Sequence, residues 1–214
     1  MRFKLPEIPP PQLIYALRDN NLLPAIVFMP TRRRCDESAM EVALKKLHGG
    51  KPERLDARRR IFDEYVAEFP EIKNHKHRKI LVNAGIAAHH AGHIPAWKLL
   101  VEKMMSAGLL DAIFATSTVA AGVDFPARTV VLTNADVRGN DGWRPLQASE
   151  LQQMTGRAGR RGKDKVGFVV LAPGGFQNPP RIAQLLKSPP DALTSRFRAT
   201  YTSLLNLLDA FKSF

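Results

Sequence analysis

Short apolar runs alternate along the chain with longer stretches in which apolar residues recur at helical spacing. The runs are five to seven residues long, as buried strands usually are, and one is strongly β-branched. They lie at 25–29, 85–90, 111–117, 128–134 and 166–172. Strands separated by helices at this spacing favour a mainly parallel sheet with helices on both faces, so the pattern predicts an α/β fold.

Four helices, one before the first run and three between the runs, are predicted from periodicity and end signals. One covers residues 12–21 after a proline-rich start, and a second runs from an Asp36 cap to about Leu47. A third, dense in charge, covers 53–69, and Pro95 opens a fourth that Gly108 ends. The spacing therefore supplies helices for both faces of the sheet.

A fifth helix is predicted near Glu150, because Ser149 and Gln152 have the spacing of a capping box. This helix is expected to continue into the stretch MTGRAGRRG, residues 154–162. Its arginines would then lie on a helical surface.

The pattern also divides the chain into three parts. Residues 1–22 are expected to form a linker with a short helix, 23–175 the α/β domain, and 176–214 a helical extension. The end of the extension carries an amphipathic stripe, which packs either on this domain or on a following one.

The amino-acid composition indicates which class of molecule the protein binds. Thirty-two Lys and Arg residues against twenty Asp and Glu give a net charge of +12, and the sequence pI is about 10.2. A basic excess of this size favours nucleic acid as partner. No run approaches the ~20 apolar residues of a membrane span, and the single Cys35 fits a reducing compartment. We therefore expect a cytoplasmic protein without a membrane partner.

The stretch MTGRAGRRG combines arginines with glycines. On a helix, Arg157 and Arg160 would be neighbours on one face, with Gly156 and Gly159 clearing bulk beside them. Paired guanidinium forks suit a terminal phosphate whose charge spreads during transfer, and Gln153 could hold a water. A solvated basic patch is the plain alternative. Each mid-helix glycine costs about 1 kcal/mol relative to alanine, so two glycines without a functional reason are not expected in such a patch.

A second stretch, residues 114–131, leaves a strand through hydroxyl side chains. Thr116 and Thr118 follow the strand, where they could bond a passing phosphate backbone, and Asp124 after Gly122 could accept from a ribose hydroxyl. Taken singly, each of these residues also fits turn or capping chemistry. Both stretches are expected at the carboxyl edge of the sheet.

The two stretches together resemble a known family. ATSTVAAGVDFP followed by QMTGRAGRRG resembles motifs V and VI of superfamily 2 helicases, in order and spacing. AIVFMPTRRRCDE resembles motif IV, and GIAAHHAGH the short motif after it. The stretch from GIAAHHAGH through GRAGRRG to GFVVL is most similar to the superkiller-like, exosome-associated group of DExH-box RNA helicases. The resemblance covers about residues 23–210.

The resemblance implies a RecA-like, P-loop-NTPase-like three-layer domain that forms the second of two motor lobes. Arg157 and Arg160 would be arginine fingers to ATP, and Gln153 would position the attacking water. Gly122, Asp124 and Gly156 would contact the nucleotide. The residues implied to hold nucleic acid are Thr116, Thr118, Thr31, Arg32, His90 and Gly92.

The resemblance also implies a first RecA-like lobe as partner. A phosphate loop, G-x-x-x-x-G-K-[ST], and a DExH box are not found in the sequence. ATP and Mg²⁺ would therefore be held mainly by the first lobe, and the chain alone should be inactive. The expected polymer is single-stranded RNA, with DNA possible. A DNA-repair helicase lobe, a non-catalytic nucleic-acid-binding module and a protein-binding scaffold are the alternatives.

Three other features of the sequence resemble functional patterns. GRAG matches the Gly-x-x-Gly loop of KH domains, but such domains are shorter and have a different element order. His89, His90 and His93 resemble a metal-ligand set, with His89 and His93 at i,i+4. Gly92 and Pro95 argue against a regular helix there, and no nearby Cys or carboxylate completes a set, so no metal site is predicted. Trp143, in a glycine-rich loop, could stack a base or pack over the sheet edge.

Overall fold

The computed structural model describes residues 6–45, 52–117, 125–139, 142–191 and 201–211. The described helices are α1 (Pro10–Asp19), α2 (Arg32–Leu44), α3 (Pro52–Glu68), α4 (Pro95–Ser106), α5 (Ala148–Thr155), α6 (Pro179–Lys187) and α7 (Tyr201–Phe211). The described strands are β1 (Ala25–Phe28), β2 (Ile86–His89), β3 (Ala112–Ala115), β4 (Thr129–Leu132), β5 (Asp136–Gly139), β6 (Gly142–Pro145) and β7 (Phe168–Leu171). A 3₁₀ turn at Pro70–Ile72 and a π-helical turn at Ile80–Ala84 precede β2.

Five strands form one parallel sheet in the order β2-β3-β1-β4-β7. The register is in step across the centre, since Ala25 of β1 pairs with Ala112 of β3 and with Thr129 of β4. Each parallel connection crosses over through a helix or a longer segment, as parallel pairing requires. The predicted α/β fold with a mainly parallel sheet is confirmed.

Helices cover both faces of this sheet, as the apolar runs predicted. Alternate strand residues such as Ile26 and Ile113 face a core that includes residues of α3, α4, α5 and α6. Their neighbours, such as Val27 and Phe114, face α1 and α2. Because both faces are buried, the central strands read as continuous apolar runs rather than as an alternation.

Strands β5 and β6 form a separate antiparallel pair that the sequence analysis treated as a glycine-rich loop. Each strand is four residues long, and β6 alternates between half-buried and exposed positions, so neither makes an apolar run. The pairing is decided by cross-strand hydrogen bonds instead. Trp143 of β6 is consequently on a strand, opposite Arg138.

The expected start of α2 is wrong. The helix begins at Arg32, and Thr31 is its cap, with the Thr31 hydroxyl accepting from the Arg34 N–H at 3.2 Å. Asp36 therefore lies inside the first turns of the helix, where its carboxylate is available to other elements. Threonine and aspartate are both good caps, and the sequence alone did not distinguish them.

The ends of the chain carry helices with different environments. Leu13 and Ile14 of α1 are buried in the core beside α2, and Ile182 of α6 is buried in the other core. In α7, Tyr201 and Leu205 are exposed. The domain boundaries at 22 and 175 stay predictions. Within its described residues, the structure contains no helix that combines the length and apolarity needed to span a membrane.

Candidate functional site

Three neighbouring strands of the sheet end in residues that were predicted to bind nucleic acid. Because β2, β3 and β1 are adjacent and parallel, their carboxyl ends meet at one edge. Gly92 follows β2, Thr116 follows β3, and Thr31 and Arg32 follow β1. We call this the carboxyl edge. Residues far apart in sequence are thus brought together where the resemblance implied a common surface.

The helix start at this edge suits an anion. Thr31 caps a 13-residue helix, whose first N–H groups and dipole favour negative charge. Arg32 and Gly92 are exposed, and a Cβ placed on Gly92 would lie 3.5 Å from Arg32 Cδ. The same Cβ would lie 3.0 Å from His90 Nδ1 and 3.1 Å from His90 Cε1, so a larger side chain at 92 would crowd the His90 ring.

His90 is oriented differently from the other residues of the edge. Its ring is buried, and Nε2 lies 2.9 Å from Asp36 Oδ1, while Nδ1 accepts from the Gly92 N–H at 3.1 Å. Its predicted contact with nucleic acid stays a prediction, but the ring itself faces the α2 helix. A carboxylate does lie near the histidines, contrary to the prediction, because α2 brings Asp36 to the rings of His90 and His93.

The arginine-rich stretch forms a turn, which we call the arginine turn, residues 156–164. The helix that was expected to carry the arginines ends at Thr155, and Gly156 is its C-cap. The helix also starts two residues earlier than predicted, since its N-cap is Gln147 and not Ser149, and the Gln147 N–H donates to the Glu150 carboxylate. Arg157 and Arg160 are therefore not neighbours on one helical face.

The glycines of this turn allow backbones to meet. Gly159 has φ +91°, a conformation that other residues rarely adopt, and a Cβ there would lie 3.2 Å from Gly167 Cα. A Cβ on Gly167 would lie 2.6 Å from Gly159 N and closer still to the carbonyl of Ala158. The expected role of Gly159 in clearing space for a ligand is thus replaced by backbone packing, whereas Gly156 is exposed at the end of the helix.

Arg160 is held by a carboxylate that the sequence analysis did not single out. Arg160 Nε and Nη2 donate to Asp164 at 2.7 and 2.9 Å, and the Arg160 N–H donates to it at 3.0 Å. Arg128 Nη1 donates to the same carboxylate at 3.2 Å, and the Asp164 side chain is only 1% exposed. The i,i+4 spacing of Arg160 and Asp164 was a signal available in the sequence.

Electrostatics match this geometry. The hydrogen bonds from Arg160 lower the pKa of Asp164 to about 2, with Arg128 adding to the effect. In return the bond to Asp164 raises the pKa of Arg160. The pair is therefore fully charged at neutral pH, and the guanidinium plane of Arg160 is fixed at a half-buried position.

The arginine turn and the carboxyl edge lie at opposite ends of the sheet. The Ala127 N–H donates to Arg157 O at 2.9 Å, and the Gly159 N–H donates to Ala127 O at 2.7 Å. Ala127 precedes β4, so the turn is at the amino end of that strand. The expectation of a single shared rim is wrong, because a four-residue strand alone separates the ends by about 13 Å.

The remaining predicted residues divide into two groups. Gln153 is exposed on α5, one turn before the arginines, and Arg157 is half-buried. Thr118, Gly122 and Asp124 lie outside the described residues. None of the roles assigned to these residues is tested, and they stay predictions.

Trp143 is exposed on β6 and lies parallel to Phe176, with 6.4 Å between ring centroids and 7° between planes. Both rings border a cavity of about 130 Å³ at the ends of β1, β4 and β7. From the sequence, Trp143 could either stack a base or pack over the sheet edge, and in the structure it lies at this edge.

Comparison with known proteins adds the family. No protein-family model matches the chain. The chain is 35% identical over 227 residues to the chloroplastic DExH-box ATP-dependent RNA helicase DExH15 of Arabidopsis thaliana, covering 99% of this chain and 18% of the relative. It is 38% identical over 205 residues to human superkiller complex protein 2, covering 92% of this chain and 16% of the relative.

Human exosome RNA helicase MTR4 is 34% identical over 201 residues, a match that covers 92% of this chain and 19% of that relative. The chain thus spans less than a fifth of the length of these three relatives. The matched stretch includes both the carboxyl edge and the arginine turn, on an α/β fold with a parallel sheet. The chain therefore belongs to the superkiller-like DExH-box helicase family, as its C-terminal RecA-like helicase region.

Proposed function

We propose that the chain is the second motor lobe of an ATP-dependent RNA helicase. In this proposal ATP and Mg²⁺ are held mainly by a first RecA-like lobe, and this lobe supplies arginine fingers to the triphosphate. The carboxyl edge grips the backbone of single-stranded RNA. The isolated lobe has no turnover, because the groups that bind Mg²⁺ and most of the nucleotide belong to the first lobe.

One observation carries the proposal: three adjacent parallel strands end in Gly92, Thr116 and the Thr31–Arg32 helix start. A capped helix start, a hydroxyl and an exposed arginine side by side form a surface for phosphate and sugar. Such contacts do not read bases, so they suit a motor that must move along any sequence. The net charge of +12 supports the same polymer class.

The arginine turn supports the catalytic part of the proposal. Phosphoryl transfer depends on positioning and on charge stabilisation at the transferring group. Arg160 has a fixed orientation, since Asp164 accepts from Nε and Nη2, and its remaining amino group can meet a γ-phosphate oxygen. Gln153, exposed one turn earlier on α5, is proposed to orient the attacking water.

Two surfaces at opposite ends of the sheet suit a motor. ATP between the lobes closes them, and hydrolysis with product release reopens them. RNA on the carboxyl edge is then gripped and released by each lobe in turn without competing with the nucleotide for the same residues. RNA is proposed over DNA because the relatives are named RNA helicases.

The test is Arg160→Ala in a protein that contains both lobes. RNA-stimulated ATP hydrolysis should fall about 10³-fold in kcat, the usual effect of losing an arginine finger. RNA affinity should change little, because the arginine turn is distant from the carboxyl edge. Arg161→Ala is the matched control, since Arg161 is the exposed neighbour of Arg160.

An unchanged kcat in Arg160→Ala would reject the finger assignment. It would favour the alternative of a nucleic-acid-binding module without a catalytic part. Competition between single-stranded RNA and DNA of the same sequence would separate an RNA motor from a DNA-repair lobe. The cytoplasmic location also stays a prediction, which fractionation of cells would check.

A further inference from the structure

Behind the carboxyl edge lies a buried cluster of histidines around one carboxylate. We call Asp36, His77, His90 and His93 the histidine cluster. The Nε2 atoms of His90, His93 and His77 lie 2.9, 3.5 and 3.6 Å from the same oxygen, Asp36 Oδ1. The three imidazole side chains are only 5%, 2% and 1% exposed. Three rings from two separate segments thus converge on a single atom from a third.

Three ring nitrogens of the histidine cluster have no hydrogen-bond partner among the described residues. Among the described residues, both ring nitrogens of His77 and Nε2 of His93 are buried without a partner. Buried polar atoms in folded proteins nearly always have one, so each such atom calls for an explanation such as an unseen ion. The unpartnered nitrogens belong to rings whose Nε2 atoms face the Asp36 carboxylate.

The protonation of these rings suits coordination. Burial lowers the pKa of His77, and it lowers the pKa of His93 to about 3, with His90 adding to the effect on His93. These imidazoles are therefore neutral at physiological pH, the form that offers a lone pair to a metal. The carboxylate of Asp36 has a lowered pKa and is charged, with hydrogen bonds from Lys76 and His90 outweighing burial.

We infer that the histidine cluster is a binding site for one divalent transition metal of the zinc class. Imidazole nitrogens with one carboxylate oxygen form a four-coordinate donor set that Zn²⁺ accepts at about 2.0–2.2 Å. Mg²⁺ and Ca²⁺ prefer oxygen donors and fit this set poorly. Ligand atoms of Asp36, His90 and His93 already lie within 4.8 Å of one another, so small ring movements complete their part of the site.

Two existing contacts set an order among the ligands. The Gly92 N–H donates to His90 Nδ1, so Nε2 of His90 carries the proton in this arrangement, and metal binding there must displace it. His90 is thus the weakest of the three imidazole ligands. Lys76 Nζ donates to the other oxygen of Asp36 at 2.7 Å, which leaves Oδ1 directed at the rings.

A metal bound at this site would stabilise the carboxyl edge. Asp36 belongs to α2, which begins beside Thr31, and His90 and His93 flank Gly92 in the loop after β2. His77 belongs to the segment before the π-helical turn. A metal would tie these three segments together just behind the carboxyl edge. With its ligands buried, the site is structural and has no open position for a substrate.

Metal uptake tests the inference directly. Tag-free protein is stripped with a chelator and titrated with Zn²⁺ and, separately, Co²⁺. We expect about one equivalent of each to bind, as for a single structural site, and Co²⁺ to show the visible absorption of a tetrahedral complex. Zn²⁺ at about 100 times Kd should raise Tm by about 5–10 °C.

Variants locate the metal. His93→Asn and Asp36→Asn should weaken Zn²⁺ binding at least about 100-fold, and His90→Asn should weaken it less, since its ligation costs a backbone hydrogen bond. His89→Asn is the matched control, because His89 is also buried but bonds to Glu102 at 2.9 Å. Circular dichroism shows which variants are folded.

The inference is overturned if the wild-type protein takes up neither ion. It is equally overturned if folded His93→Asn and Asp36→Asn bind Zn²⁺ as tightly as the wild type. Should a variant fail to fold, the wild-type stoichiometry, the Co²⁺ spectrum and the Tm shift still decide. These readouts do not depend on ATP hydrolysis, so they stand apart from the helicase proposal.

Discussion

At the scale of single residues, Asp164 determines how Arg160 is presented. A guanidinium on a turn has many rotamers, and the bidentate bond to a buried carboxylate removes most of them. Preorganisation of this kind matters because a small misplacement of a catalytic group can lower the rate about 10²-fold. Asp164 is thus a positioning residue in the proposed function, acting through Arg160.

Asp164→Asn should lower kcat of RNA-stimulated ATP hydrolysis by about 10- to 100-fold, because Arg160 loses its charged partner. The loss should be smaller than that of Arg160→Ala. Steady-state kinetics in the two-lobed protein measure it, with Asp56→Asn on the exposed face of α3 as the control. A kcat equal to that of the wild type would show that Arg160 does not depend on this contact.

The same residue predicts a pH dependence of stability. Its folded pKa is about 2, below the unfolded value of about 3.9. A lowered carboxyl pKa contributes stability that is fully present above the unfolded pKa and is lost as pH falls towards the folded pKa. The stability difference between wild type and Asp164→Asn should therefore be constant from pH 5 to 7 and shrink between about pH 4 and 2.

Urea unfolding of both proteins over this pH range measures that difference. The Asp56→Asn protein should follow the wild type closely, because its exposed ion pair contributes little. A difference that grows as the pH falls would contradict the assigned sign.

At the scale of elements, the arginine turn is shaped by the strand beside it. Gly167, just before β7, passes against Ala158 and Gly159 so closely that a side chain cannot be placed between them. The turn is also paired with Ala127 before β4. Its shape thus depends on two elements that are distant in sequence.

Gly167→Ala should displace the arginine turn. We expect a loss of unfolding free energy of about 1–3 kcal/mol from overpacking and a fall in kcat in the two-lobed protein. Chemical denaturation and ATPase kinetics measure the two effects. Gly175→Ala is the control, since a Cβ there meets nothing within 4 Å, and equal behaviour of the two variants would contradict the proposed packing.

Helix α3 is joined to segments beside the sheet by Arg58, which lies among many other charged residues in the sequence. Arg58 is buried, and its guanidinium donates to the carbonyl oxygens of Val82, Leu109 and Asn83 at 2.6, 2.9 and 3.4 Å. Burial lowers the pKa of Arg58, while its hydrogen bonds connect α3 to the π-helical turn and to the segment before β3. It is a structural residue and not part of the basic surface.

Arg58→Met keeps the apolar stem but leaves these carbonyls without their donor. We expect the unfolding free energy to fall by about 3 kcal/mol, measured by chemical denaturation. Arg59→Met is the matched control on the exposed side of the same helix and should stay within about 0.5 kcal/mol of the wild type. Equal stability of the two variants would contradict the structural role of Arg58.

At the scale of the whole molecule, the two proposed tasks, contact with the nucleotide and binding of RNA, belong to two different surfaces. The carboxyl edge and the arginine turn lie at opposite ends of one sheet whose two faces are both packed, and densely packed interiors transmit strain. In the proposed function this sheet links nucleotide contact to the grip on RNA. The basic excess then assists encounter with the polymer.

The chain alone should bind single-stranded RNA weakly, with Kd in the range of about 10⁻⁶–10⁻⁴ M at physiological salt, and should not hydrolyse ATP. Arg32→Ala should reduce the slope of log Kobs against log salt by about 0.7, the value for one phosphate contact. Fluorescence anisotropy at several salt concentrations measures this slope. Arg59→Ala is the control, and an unchanged slope in Arg32→Ala would remove Arg32 from the interface.

Much of this protein was determined by its sequence alone. Apolar runs and helical periods predicted the strands and most helices, because side-chain burial follows those periods directly. The order of the motifs indicated the family, and the basic excess favoured the nucleic acid that is proposed as partner. The short pair β5 and β6 was missed, since four-residue strands with exposed positions leave no such pattern.

Only the tertiary structure decided how the sites are built. The strand order β2-β3-β1 joins Gly92, Thr116 and Thr31, and helix α2 brings Asp36 to the histidines. The arginines lie on a turn at the opposite end because a Gly–Gly backbone contact, and not helix propensity, shapes that stretch. Hydrophobic periodicity is a local property that can be read from neighbouring positions in the sequence. Contacts between distant segments depend instead on how the packed elements are arranged.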